Sequence, residues 1–138
     1  MAKLHATAKM VQGPLIVLDN GRAHAAVVDQ PSASSLGLGP TPLELCVMSH
    51  AGCYVTIAQL VAGKMRMQLK GLDVKVDAVK SDEAGTVVEE TFDITYKTEA
   101  TEDQVKRLHE HTLKNCPVGI LFEKAGVKII YNLKVQKE

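Results

Sequence analysis

The sequence contains no tryptophan, and its aromatic side chains are limited to three tyrosines and two phenylalanines. Proteins that bind single-stranded nucleic acid stack bases on aromatic side chains, and this chain has few side chains for such contacts. Its sixteen basic residues are balanced by sixteen acidic ones, and the basic residues form no stripe along the chain. Because a basic face is the electrostatic mark of a nucleic-acid-binding protein, we expect no nucleic-acid partner.

Neither a signal peptide nor a disulfide framework is expected from the sequence. The first residues, MAKLHATAKMVQG, contain no continuous apolar stretch of the kind that directs secretion. Only three cysteines occur in 138 residues, which favours a reducing compartment where thiols serve chemistry or packing. We therefore expect a cytoplasmic protein that folds as a single domain over residues 1–138, and we expect no cofactor.

The longest apolar stretch, residues 41–67, predicts one helix of 23 residues over 42–64. Thr41 can cap this helix, Pro42 suits its first position, and Glu44 completes an S/T-x-x-E capping box. Its apolar residues fall on every side, which is typical of a membrane span or of a helix buried on all faces. Polar residues such as His50 and Gln59 interrupt it too often for a span. We therefore predict a central helix enclosed by other elements, and no membrane partner.

Alternating apolar residues and turn signals predict the remaining elements. Strands are predicted at 3–12, 15–18, 23–28, 72–79, 86–98 and 127–135, and further helices at 102–115 and 117–122. The order β-β-β-α-β-β-α-α-β indicates an α+β fold with largely antiparallel sheets. One sheet can cover only one side of the central helix, so a second copy of the chain is expected to supply the rest of the cover. The prediction is an intertwined homodimer in which antiparallel sheets wrap around central helices.

Two cysteines and a histidine lie on the predicted central helix. Cys46 and Cys53 are seven residues apart and share one face, with His50 between them. His50 precedes Cys53 by three residues, so it either lowers the thiol pKa or carries a proton, or it is a hydrogen-bonded core histidine. The third thiol, Cys116, precedes Pro117 as the cap of a short helix, where amide dipoles favour a thiolate. Buried free cysteines also serve as small apolar side chains, and that alternative stays open.

Three segments of the chain form a specific combination. They are G-P-T-P-L-E-L through H-A-G-C at 39–53, K-x-R-x-x-x-K-G-L-D-V-K-V at 64–76, and N-C-P-V at 115–118. Together they resemble the OsmC/Ohr family, the osmotically inducible protein C and organic hydroperoxide resistance group. The resemblance extends over residues 15–136 and agrees with the predicted order of elements. It implies an interlocked α+β dimer with active sites at the interface, and thiol-dependent reduction of organic hydroperoxides.

The resemblance also implies roles for the two matching cysteines. Cys53 would be the peroxidatic cysteine, whose thiolate attacks the peroxide oxygen, releases an alcohol and becomes a sulfenic acid. Cys116 would be the resolving cysteine, which condenses with Cys53 to form a disulfide. A thiol reductant would then restore both thiols.

Two positions depart from the best-studied peroxidases of that family. Those enzymes carry a glutamate ten residues before the reactive cysteine, where this chain has Leu43, and Glu44 follows one position later. Glu44 is therefore either catalytic or the partner in the capping box. Those enzymes also use an arginine of the N-terminal strands, but the turn around Arg22 does not match that motif. Arg66 matches a less characterised branch with the P-x-E-L pattern, to which this chain is closer. Arg66 is either an active-site cation across the dimer or a solvated helix end.

Two other functions stay open. The three cysteines and His50 could converge on a metal ion, although C-x3-H-x2-C is not a common zinc spacing. The chain could also be a redox protein or a binder of small hydrophobic ligands without efficient peroxidase activity. Such a binder would cause no cysteine-dependent loss of peroxide. His109 and His111 lie on the charged face of the later helix and are expected to face solvent.

Overall fold

The computed structural model describes residues 1–22 and 24–137. The elements of this described part follow the predicted order. They are β1 (Thr7–Gln12), β2 (Leu15–Asp19), β3 (Ala25–Val28), α1 (Pro42–Lys64), β4 (Gly71–Ser81), β5 (Thr86–Lys97), α2 (Glu102–Asn115), α3 (Pro117–Lys124) and β6 (Lys128–Gln136). The predicted α+β class and the order of elements are confirmed. The chain forms two compact units, Met1–Cys46 and Val47–Glu138.

The first unit contains a three-stranded antiparallel sheet in the order β1-β2-β3. Gly21, which has a φ of 76°, turns the chain between β2 and β3. The Gly21 amide donates a hydrogen bond to the Asp19 carboxylate at 2.6 Å, which closes the hairpin turn predicted at this point. The first strand begins later than predicted, at Thr7. The third begins at Ala25, and Ala23 of its predicted range lies outside the described residues.

Helix α1 has the predicted bounds, and its N-terminus is capped by side chains. The Glu44 amide donates to Oγ1 of Thr41 at 3.1 Å, and the Thr41 amide donates to the Glu44 carboxylate at 2.9 Å. These two bonds form the predicted capping box, and the bonds from Thr41 lower the pKa of the Glu44 carboxyl. After the other end of the helix, Arg66 adopts a left-handed φ of 54°, a conformation that stops helical hydrogen bonding.

The second unit contains a three-stranded sheet in the order β4-β5-β6. Strands β4 and β5 pair antiparallel, as predicted, whereas β5 and β6 pair parallel. The parallel pair departs from the expected antiparallel pattern because α2 and α3 carry the chain back across the sheet between β5 and β6. Strand β5 is the central strand, and alternate residues along it point inward; they are Glu90, Phe92, Ile94 and Tyr96.

One face of α1 packs into the core of this second unit. The buried residues of the helix recur at the spacing of a helical stripe; they are His50, Tyr54, Ala58, Val61 and Ala62. The apolar ones form one cluster with the apolar inward residues of β5 and with Val105 and Leu108 of α2. The other faces carry exposed apolar side chains such as Met48 and Leu60, which are 55% and 59% exposed. A single chain therefore leaves much of the helix surface uncovered.

Helix α1 is also long and apolar enough to cross a membrane, by length and composition only. Its most apolar window of 18 residues has a mean hydropathy of 1.5, and 22% of that window is buried. The interior helix of a soluble protein has the same length and composition when it is covered on several faces.

We expect Leu108→Ala to lower the free energy of unfolding by about 2–5 kcal/mol, because truncation of a buried side chain leaves a cavity. Leu108 is fully buried in the core of the second unit. Val79→Ala is the matched control, since Val79 is 54% exposed on β4 and its truncation should change stability by less than about 0.5 kcal/mol. Urea denaturation followed by circular dichroism measures both variants. Equal losses in the two variants would contradict the described core.

Candidate functional site

Two cysteines from distant parts of the sequence lie side by side in the second unit. Sγ of Cys116 lies 3.1 Å from Sγ of Cys53, although 63 residues separate them along the chain. Both are free thiols. Because a disulfide bond is about 2.05 Å long, the two sulfurs need to approach each other by only about 1 Å to become bonded.

Secondary structure places these two thiols in different surroundings. Cys53 lies midway along α1 and is half-buried. Cys116 is the N-cap of α3, is 1% exposed, and accepts a hydrogen bond from the Gly119 amide at 3.4 Å. Burial, followed by the contact with Cys53, raises the pKa of the Cys116 thiol to about 11. Cys116 is therefore protonated at neutral pH and can donate a hydrogen bond to the Cys53 sulfur.

A buried histidine–glutamate pair forms the second part of the site. Nδ1 of His50 lies 2.5 Å from Oε2 of Glu90, and both side chains are at most 1% exposed. The His50 ring stacks on Phe122 at 4.7 Å and meets Phe92 edge-on at 4.6 Å. The other carboxylate oxygen, Oε1, has no hydrogen-bond partner among the described residues. Because an unpaired buried charge is costly, this carboxylate depends on His50.

Sequence reasoning missed Glu90. It occupies an inward position of β5, two residues before Phe92. A carboxylate at an inward position, among side chains that are otherwise apolar or aromatic, is the signal that could have identified it. Such a group needs a hydrogen-bonding partner in the interior, and His50 on the predicted central helix is that partner.

His50 and Cys116 face one small space beside Gly119. A Cβ atom on Gly119 would stand 3.1 Å from Nε2 of His50 and 3.3 Å from Sγ of Cys116. Because Nδ1 is engaged by Glu90, Nε2 is the ring nitrogen that borders the space next to the Cys116 sulfur. The lack of a side chain at Gly119 therefore allows the imidazole and the thiol to lie close to each other.

A cavity of 170 Å³ lies at this point of the second unit. Its lining combines site residues with apolar and aromatic side chains; they are His50, Tyr54, Leu113, Cys116, Gly119, Glu123, Val127, Ile129 and Tyr131. The volume is below that of pockets for drug-sized ligands. The cavity therefore suits a small group of mixed polar and apolar character held next to the Cys116 thiol.

A second polar network lies one helical turn further along α1. The Tyr54 hydroxyl is hydrogen-bonded to the Tyr96 hydroxyl and, at 2.6 Å, to Nδ1 of His109. The prediction that His109 faces solvent is wrong, because this bond holds its ring half-buried against Tyr54 and Tyr131. Burial lowers the pKa of His109. His111 is exposed, as predicted.

Glu44, Arg66 and Cys46 were the other residues singled out by the sequence. The Glu44 carboxylate is exposed and accepts the hydrogen bond of the capping box from Thr41. Arg66 is exposed beyond the end of α1, where it lines a pocket of 220 Å³ that contains neither of the paired thiols. Cys46 is exposed. Within one chain, the structure therefore brings His50 and the paired thiols together but does not bring Arg66 to them.

The described residues contain no group of three or more His, Cys, Asp or Glu side chains arranged to hold a metal ion. His50 binds Glu90 through Nδ1, and Cys116 contacts Cys53 directly. The hypothesis that the three cysteines and His50 form a metal site therefore finds no support in the structure.

Residues 34–132 match a family model described as OsmC-like protein. No curated protein sequence matches the chain. The family model covers the whole of α1, both paired cysteines and Glu90, so the matched region contains every residue of the site described above.

Solved structures match the chain over nearly its full length. An OsmC-like protein from Mycoplasma pneumoniae is 18% identical with a TM-score of 0.87, and the match covers 97% of each chain. An organic hydroperoxide resistance protein from Elizabethkingia anophelis is 17% identical with a TM-score of 0.69, covering 100% of this chain and 98% of the other. The organic hydroperoxide resistance protein OhrB of Bacillus subtilis is 16% identical with a TM-score of 0.64, covering 98% of each. At these identities the matches establish the fold.

We expect Gly119→Ala to slow formation of the Cys53–Cys116 disulfide at least about tenfold, because small displacements of reacting groups reduce rates steeply. The added Cβ would crowd both His50 and Cys116. Gly63→Ala is the matched control, since a Cβ at this helical position meets nothing within 4 Å. Oxidation with diamide, followed by the loss of free thiols, measures the rate. An unchanged rate in Gly119→Ala would mean that the spacing around residue 119 does not govern the thiol pair.

Proposed function

The chain belongs to the OsmC-like family, and from this membership we propose that it is a thiol-dependent peroxidase that reduces organic hydroperoxides. The observation that carries the proposal is the distance of 3.1 Å between the free sulfurs of Cys53 and Cys116. Two of the similar solved structures are organic hydroperoxide resistance proteins. A pair of thiols at this distance can accept two oxidising equivalents and store them as a disulfide.

Cys53 is the thiol that reacts first. It is half-buried, whereas Cys116 is fully buried and has a raised pKa. The Cys53 thiolate attacks one oxygen of the hydroperoxide, the O–O bond breaks, and an alcohol leaves after taking up a proton. Cys53 becomes a sulfenic acid, and Cys116 then displaces water from it to form the disulfide. A thiol reductant of unspecified identity returns both residues to thiols.

A catalytic role has more support for His50 than for Glu44 or Arg66. His50 faces Cys116 across the space beside Gly119, which favours a role in proton transfer. Arg66 is exposed and separate from the thiols of its own chain, so it acts as an active-site cation only across a dimer interface. The contacts of Glu44 favour its capping role over a catalytic one.

The protein is a homodimer in this proposal, and it acts in the cytoplasm. Support for the dimer comes from the exposed apolar side chains of α1, including Met48 and Leu60. The most apolar window of 18 residues in this helix has a mean hydropathy of 1.5. A large exposed apolar surface on such a helix is typical of a surface that another chain covers. A second copy would provide the cover that the sequence analysis assigns to it.

A second candidate function is the binding of a small hydrophobic ligand without turnover. The cavity of 170 Å³ favours it, because Leu113, Val127 and Ile129 contribute apolar surface to its lining. This candidate differs from the peroxidase in one measurable respect: ligand binding would leave Cys53 and Cys116 as thiols.

One equivalent of tert-butyl hydroperoxide should convert Cys53 and Cys116 to a disulfide and the peroxide to an alcohol. Cys53→Ser should abolish peroxide consumption, because the proposal assigns the attack on the peroxide to the Cys53 thiolate. Cys116→Ser should stop the reaction at the sulfenic acid of Cys53. Mass spectrometry of tryptic peptides and an assay of residual peroxide measure these outcomes.

Cys46→Ser is the matched control for this experiment, since Cys46 lies on the same helix but is exposed. It should consume peroxide at the rate of the unchanged protein. Peroxide loss that persists in Cys53→Ser, or an adduct on Cys46 in place of the disulfide, would reject the assigned roles.

Leu60→Glu should weaken the homodimer at least about tenfold, because a charge would be placed in an apolar contact. Val79→Glu is the control, since Val79 is 54% exposed, close to the 59% of Leu60, but lies on β4. Gel filtration over a dilution series measures the association. If the unchanged protein elutes as a monomer at every concentration, the proposed dimer is excluded.

A further inference from the structure

We propose that Glu90 and His50 together form the base that deprotonates Cys116 when it resolves the Cys53 sulfenic acid. The inference rests on the proposed peroxidase function and assigns a step to residues inside it. His50 is the group that accepts the proton. Glu90 touches no reacting atom and is a positioning residue that acts through His50.

The contacts of the pair determine which ring nitrogen is basic. As an ionised carboxylate Glu90 can only accept hydrogen bonds, and in that state Nδ1 of His50 carries the proton that Oε2 binds at 2.5 Å. The lone pair of the neutral imidazole is then on Nε2. Nε2 faces the same space beside Gly119 as Sγ of Cys116. The carboxylate therefore orients the ring and selects the tautomer that can take a proton from the thiol.

The surroundings of Cys116 explain why the second step needs a base. Its thiol is 1% exposed, so hydroxide and buffer bases have little access to it. Burial also raises its pKa to about 11, so only about one molecule in ten thousand carries the thiolate near neutral pH. A neighbouring base that takes the proton as the sulfur attacks removes this limitation.

The resolving step balances with the residues present. Sγ of Cys116 attacks the sulfur of the Cys53 sulfenic acid, and Nε2 of His50 takes the thiol proton. An S–S bond forms while the S–O bond of Cys53 breaks. The departing hydroxide receives the proton from the His50 imidazolium and leaves as water. Cys116 is oxidised, the Cys53 sulfur is reduced from the sulfenic state, and no net proton is gained or lost.

Glu90 also stabilises the charge that appears on His50 during this step. Both side chains are buried among Phe92, Phe122 and other core residues. An imidazolium in such surroundings is costly unless a carboxylate contacts it. The oxygen Oε2 already lies against Nδ1, so no rearrangement is needed when the charge develops.

The other titratable groups around His50 are less suited to act as the base. Tyr54 and Tyr131 line the same cavity, and burial raises the pKa of both hydroxyls, that of Tyr131 to about 12. His109 on α2 is hydrogen-bonded to Tyr54. Glu123 on α3 also lines the cavity but is exposed to solvent. His50 is the buried base whose free ring nitrogen borders the space beside Gly119 that the Cys116 sulfur also borders.

Rapid-quench mass spectrometry of the full-length protein with one equivalent of tert-butyl hydroperoxide separates the two steps. In Glu90→Gln, the Cys53 sulfenic acid should form within about twofold of the normal rate, while disulfide formation near pH 7 slows about 10–100-fold. The slow step should then accelerate about tenfold per pH unit, because it depends on the thiolate of Cys116. In the unchanged protein the same step should depend much less steeply on pH, because its rate does not follow the amount of free Cys116 thiolate.

Glu89→Gln is the matched control. Glu89 precedes Glu90 on β5, is 38% exposed and contacts Lys128 at 3.9 Å, so its substitution should leave both steps unchanged. A folded Glu90→Gln that resolves at the normal rate with the normal pH profile would overturn the inference. Circular dichroism establishes that each variant is folded.

The unchanged protein provides a test that needs no variant. If its disulfide formation accelerates tenfold per pH unit between about pH 7 and 9, a free thiolate is the reactant and the inference is overturned. That result would leave the peroxidase proposal intact. If no sulfenic acid or disulfide forms at Cys53 in the unchanged protein, the peroxidase proposal itself fails, and the role of Glu90 fails with it.

Discussion

The contact between His50 and Glu90 determines how α1 lies against β5. Both groups are buried, and one carboxylate oxygen has no partner among the described residues. Separating such a pair leaves an uncompensated charge in the interior, at a cost of about 3–5 kcal/mol. Rotation of the helix about its axis would break the contact, so the contact selects the buried face. Cys53 follows His50 by three residues, and the same constraint therefore directs it toward Cys116.

Tyr54 repeats this arrangement one turn further along α1. Its hydroxyl binds Tyr96, which lies on the same strand as Glu90, and His109 on α2. Apolar packing is non-directional and would tolerate small rotations of the helix. Two buried hydrogen-bonded contacts one turn apart do not tolerate them, because each rotation would leave polar groups unpaired. The polar residues of this core thus define the geometry of the thiol site, while its apolar residues provide the burial.

Sequence patterns predicted the features that depend on local chemistry. The start of α1 follows from its capping box, and the start of α3 follows from Cys116 and the proline after it. Features that depend on distant contacts were missed. The parallel pairing of β6 follows from the path of two helices, and the burial of His109 follows from Tyr54, 55 residues earlier. Glu90 combines both cases. Its inward position follows from the alternation along β5, but its partner His50 lies 40 residues away.

The two thiols differ in how firmly the fold holds them. Cys53 lies on a long helix anchored by His50, whereas Cys116 begins a helix of only eight residues. Bond formation requires the sulfurs to approach by about 1 Å, and Gly119 adds no side chain that would crowd Cys116 within the first turn of α3. Side-chain rotation and a small shift of that turn can therefore supply the approach. We expect the anchored helix to keep its position, so that the core around His50 and Glu90 need not rearrange when the thiols react.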